Sequence, residues 1–127
     1  MKPKLLLTIA AIYMGLVGLG YLISPVGIVL GLDQGAPAAL IAEIRIISST
    51  FIGIAVLNWA ARNADASKAR DAIFLGNTVG FGLAAILGII ATLATGQALG
   101  WIFVVIAGLF AVGFFIVGRA NMSTSAS

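Results

Sequence analysis

Hydrophobic residues make up 61% of the 127-residue chain, charged residues only 9%, and mean hydropathy is +1.18. A water-soluble domain of this size carries about a quarter charged residues and just under half apolar ones, so this composition belongs in a membrane. There is no histidine and no cysteine, which excludes disulfides, thiol nucleophiles, thiolate or imidazole metal sites and the usual neutral-pH acid/base. The net charge of +3 comes from seven basic residues that form no patch, so no nucleic-acid partner is implied.

Crossing about 30 Å of hydrocarbon takes roughly 20 apolar helical residues, and four such windows follow one another. The expected fold is all-α: a single membrane domain over 1–127 that forms a bundle of four transmembrane helices. The first window covers about 5–23, after the basic start Met1-Lys2-Pro3-Lys4. It is longer than the apolar run of about 7 to 15 residues in a signal peptide and reads as a true span.

The loop Ser24 to Asp33 is too apolar for an ordinary solvated turn. Ser24-Pro25 would suit the start of a short half-helix in the membrane interface, and an apolar loop folded back on the bundle fits as well. The second span covers about 38–61, with Pro37 in its first turn. The third covers about 71–94, after the polar stretch Arg62 to Asp71, where Ser67 or Asp65 could cap it. Thr95-Gly96-Gln97 makes a short turn into a fourth span at about 99–118, followed by a polar tail at 119–127.

Lys2, Lys4, Arg62, Lys68, Arg70 and Arg119 all fall on one side of such a bundle, and the other two connections carry no Lys or Arg. The positive-inside rule then predicts that both termini are cytoplasmic. Tyr21 and Trp101 fall at the outer boundary and Trp59 at the inner one, where amphipathic rings prefer to sit. Asn121-Met122-Ser123 matches a glycosylation sequon but lies on the cytoplasmic side.

Lipid tails are as apolar as Leu, so helices in a membrane associate where small residues let backbones come close. Gly76, Gly80, Ala84, Gly88 and Thr92 recur every fourth residue in span three and are expected to form one smooth packing stripe on a broad face. Ala11 and Gly15 in span one, and Ala107 and Ala111 in span four, offer shorter versions. Val17-Gly18-Leu19-Gly20 and Val79-Gly80-Phe81-Gly82 look alike and hint at a duplicated hairpin.

Ionisable residues inside a bilayer are costly and form the default functional hypothesis. Two qualify, Glu43 and Arg45, about one to two turns into span two and about 200° apart around it, so they cannot pair side by side. Structural pairing to a neighbouring helix or subunit, snorkelling to headgroups, and the polar floor of a ligand pocket are all open to them. Thr50 and Asn58 continue a sparse polar track from Glu43. Asn77 has a depth similar to Asn58 and could hydrogen-bond to it.

Ala42-Glu43-Ile44-Arg45, a Gly-containing helix ending in Ala60-Ala61-Arg62, a basic turn and a Gly-rich third helix ending near Gly96 resemble a family of uncharacterised four-helix bacterial inner-membrane proteins. Where that family tends to have Gly after the Arg, this chain has Ser48-Ser49-Thr50 before Gly53. The resemblance implies a bacterial inner-membrane location. Small multidrug transporters are also short and four-spanning, but their glutamate lies in the first helix, where this chain has no ionisable group.

The leading expectation is a non-enzymatic accessory or scaffold subunit with no cofactor and no metal, packed in lipid as a homo-oligomer or with other membrane subunits. The alternative is a module binding or transporting a lipid or small amphipathic ligand through Glu43, Arg45, Thr50, Asn58 and Asn77. A lone carboxylate without His, Cys or a metal cluster is a poor catalytic set.

Overall fold

The structure is a computed structural model in which residues 1–25 and 36–124 are described. Among them it is all-helical: α1 spans Pro3–Ile23, α2 Ala38–Ala61, α3 Lys68–Thr95 and α4 Leu99–Ala120. All four are long and apolar enough to cross a membrane. The half-helix or folded loop expected over 24–33 lies outside the described residues, apart from Ser24 and Pro25.

Three of the four helices overrun their apolar windows, and α2 keeps to its own. α3 begins at Lys68, three residues before its expected span, because polarity limits what can sit in hydrocarbon and not what can be helical. Ser67 caps α3, its hydroxyl accepting from the Arg70 amide at 3.2 Å. Pro37 stands one position before α2, and its carbonyl accepts from the Ile41 amide. Gly96 ends α3 at φ +68°, a left-handed position that glycine takes without a Cβ penalty, and its amide returns to the Thr92 carbonyl at 2.9 Å.

Two compact units divide the chain: 7–62 in one, 1–6 with 63–127 in the other. In the first, α1 and α2 run antiparallel and meet most closely at Gly18. A Cβ there would lie 2.8 Å from Ile52 Cγ1 and 3.1 Å from the Ile52 backbone nitrogen, so only glycine allows this approach. Gly15 faces Ala55, and Tyr21 meets Phe51 edge to face at 5.4 Å, extending the seam in both directions.

In the second unit α3 and α4 pack antiparallel along most of their length. Gly88 receives Val104, Gly100 receives Thr92, and Gly118 receives the Phe74 ring. Phe81, Phe110 and Phe114 stack with centroids 4.7–6.3 Å apart, Phe74 meets Phe114 edge to face at 5.3 Å, and Phe114 is fully buried. Leu6 at the start of α1 lies over Gly113. Leu16, Ile46, Leu87, Leu109 and Ile116 are left exposed, as lipid-facing surface requires.

The two look-alike glycine motifs play different parts. Gly18 sits at the tightest point of its hairpin, whereas a Cβ at Gly80, the matching position, would meet nothing within 4 Å. Gly18→Leu should therefore destabilise the α1–α2 hairpin by about 1–3 kcal/mol, whereas Gly53→Leu, at an equally open position of α2, should leave it unchanged. Reversible unfolding in mixed detergent micelles reads both.

Candidate functional site

The buried residues of α2, among them Ile44, Ser48, Ala55 and Asn58, lie on one narrow face of the helix. Glu43 and Arg45 immediately flank Ile44, each about 100° around the helix from it, so both lie on the flanks of the contact and are exposed. Neither carboxylate nor guanidinium has an ionic or hydrogen-bonding partner among the described residues. Thr50, on the Glu43 side, is also exposed. Ser48 and Ser49 donate to the carbonyls of Arg45 and Ile46 at 2.6 Å, satisfying their own hydroxyls inside the helix.

The two asparagines lie in a different environment. Asn58 is fully buried and Asn77 is 7% exposed. The Asn77 amide donates to the Ile73 carbonyl at 2.8 Å, and no buried side-chain polar atom among the described residues lacks a hydrogen bond. The five residues of the expected polar track therefore divide into an exposed group of three on α2 and two buried amides.

The small-residue stripe of α3 also divides. Thr92 is buried against Gly100 and Gly88 meets Val104, but Ala84 is exposed and a Cβ at Gly76 or Gly80 would meet nothing within 4 Å. The reason is geometric. A four-residue step turns a helix by about 400°, so the stripe drifts about 40° per step and roughly 160° over its length. It starts on the open side of α3 and ends facing α4, and so does not keep to one face.

One polar cluster is absent from the sequence reading. The Arg70 guanidinium donates to the Asn121 carbonyl at 2.8 Å and to the Ala64 carbonyl at 3.1 Å, and Asp71 Oδ2 accepts from the Ser123 amide at 3.0 Å. Asn121 caps its own helix by donating to the Val117 carbonyl. These contacts pin the segment after α4 to the first turn of α3. Beside them Asp71, Leu75, Thr78, Phe115, Arg119 and Met122 help to line a cleft of about 320 Å³ between α3 and α4. The partners are 51 and 52 residues apart, so no local pattern announces them.

At the end of α2, the Arg62 guanidinium lies 3.7 Å over the Trp59 ring and donates to the Trp59 carbonyl, joining a cation to an amphipathic ring within one turn. No family model matches the chain, and comparisons with curated proteins and with solved structures give no match either.

Asp71→Ala should release the tail, since the charge-assisted bond to the Ser123 amide is then lost. Amide hydrogen exchange at Ser123 should quicken roughly tenfold, as about 1.4 kcal/mol implies, while exchange in the centre of α3 stays unchanged.

Proposed function

We propose that the protein is a non-enzymatic subunit of the bacterial inner membrane, with both termini cytoplasmic, that assembles laterally with copies of itself or with other membrane subunits. The observation that carries this reading is the open end of the α3 stripe. Gly76 and Gly80 present backbone without side chain on two successive turns, and among the described residues nothing beyond the helix's own neighbouring backbone comes within 4 Å of where a Cβ would be. Glycines cost helix stability when they serve nothing, and in lipid they gain it back when another helix approaches closely.

The flanks of α2 supply the second element. Glu43 and Arg45 are exposed, roughly 8 and 11 Å along the helix from its first residue. At that depth each charge needs a headgroup, water or a partner from a neighbouring subunit. The one-sided distribution of Lys and Arg supports the orientation. The resemblance around Ala42-Glu43-Ile44-Arg45 supports the bacterial inner membrane.

A lipid- or amphipath-binding module is the second reading, favoured by the same exposure of Glu43 and Arg45. It predicts that Arg45→Ala loses a co-purifying lipid or small molecule without changing the number of protein subunits.

The assembly reading makes the opposite prediction at α3. Gly76→Leu with Gly80→Leu should leave the isolated chain at least as stable as before, because the new side chains meet no described residue and remove two helix-weakening glycines, yet should lower the subunit number. Native mass spectrometry of gently extracted protein measures this. An unchanged stoichiometry in the double variant would sink the assembly surface.

A further inference from the structure

The cleft between α3 and α4 is both recessed and charged at one end. Its walls are Phe74, Leu75, Phe114 and Phe115, and its volume of about 320 Å³ lies at the small end of ligand sites, which run from roughly 300 to 1,000 Å³. Thr78 is the one hydroxyl in the lining, and it already donates to the Phe74 carbonyl at 2.8 Å. The deep part of the cleft therefore presents nothing to a ligand but hydrocarbon and aromatic surface.

At the mouth two charges of opposite sign meet, and they are not equivalent. Asp71 is engaged, its Oδ2 accepting from the Ser123 amide. Arg119 makes no ion pair or hydrogen bond among the described residues, and its guanidinium carbon lies 5.8 Å from the centre of the Phe115 ring that forms the cleft wall. That leaves a planar set of donors held beside an apolar slot, at the polar end of a helix that otherwise crosses the bilayer.

We propose that this cleft binds one anionic phospholipid from the leaflet facing this end of the helices, with part of an acyl chain along Leu75, Thr78 and Phe115 and the phosphate on Arg119. The chemistry fits each end of the ligand. A guanidinium matches a phosphate with two parallel hydrogen bonds, and near a headgroup layer it remains charged without desolvation into hydrocarbon. Basic residues at this level attract anionic lipid in any case, and the cleft adds a place for the chain. The site lies on the α3–α4 face and does not depend on the assembly surface at Gly76 and Gly80.

The test is native mass spectrometry of the full chain from vesicles containing equal amounts of phosphatidylglycerol and phosphatidylcholine. The wild-type chain should retain one phosphatidylglycerol in preference to phosphatidylcholine. Arg119→Gln should lower that retention about tenfold, the weight of one charge-assisted pair, and Arg119→Lys should restore part of it. Ala72→Trp, which fills the cleft from an exposed lining position, should displace the lipid with Arg119 intact. Equal retention of the two lipids would overturn the proposal. So would an unaltered Arg119→Gln variant, or an equal loss on Lys68→Gln, which would reduce the effect to diffuse surface charge. Subunit number comes from the same spectra, so failure of the lipid site and failure of the assembly surface are read separately.

Discussion

In hydrocarbon every backbone N–H and C=O must find its partner inside the chain, and once helices have done that, apolar side chains gain little by leaving lipid for protein. What remains is how closely two backbones can approach, and this governs both hairpins. In the first, the seam is set at Gly18, where the Ile52 backbone nitrogen would be only 3.1 Å from a Cβ. In the second the small residues alternate between partners: Gly88 on α3 accepts a side chain from α4, and Gly100 and Gly118 on α4 accept side chains from α3. Away from these glycines Phe81, Phe110 and Phe114 fill the gap by stacking, and Phe74, seated at Gly118, meets Phe114 edge to face. Dispersion and ring geometry supply there the attraction that hydrophobic burial supplies in water.

The helices themselves were legible because length and hydropathy decide them, and four apolar windows map onto four helices within a few residues. Their ends were legible where a specific backbone need exists, as at Ser67 and Gly96. The pairing of helix faces was only half legible. Repeats of small residues announce that a helix has a smooth side, but Gly18 and Gly80 sit in similar four-residue contexts and one is jammed while the other is open. The missing information is the partner, which no single helix contains. The cluster of Arg70, Asp71, Asn121 and Ser123 was illegible for the same reason: each residue reads alone as an ordinary polar residue at a helix end.

The placement of Glu43 and Arg45 follows from the narrowness of the α2 contact. A helix that buries one residue in three or four leaves two lateral flanks, and residues on either side of a buried position land on opposite flanks. Ile44 is that buried position. The two charges are thereby kept apart from each other and from the buried Asn58, which rules out an intrahelical pair and directs each of them to something beyond this helix.

The drift of the α3 stripe gives that helix one packed and one open stretch of small residues. A repeat averaging 3.5 residues stays close to one face and commits a helix to one partner, as in a coiled coil. A strict repeat of four advances around the helix, so the same run of small residues can serve α4 at Gly88 and Thr92 and lie open at Gly76 and Gly80. Internal packing against α4 therefore leaves the surface at Gly76 and Gly80 uncovered among the described residues. Because the handover takes place near Ala84, where the stripe has turned about 80° from its start, a bulky residue at Gly88 would press on Val104 of α4, and one at Gly76 would meet nothing among the described residues.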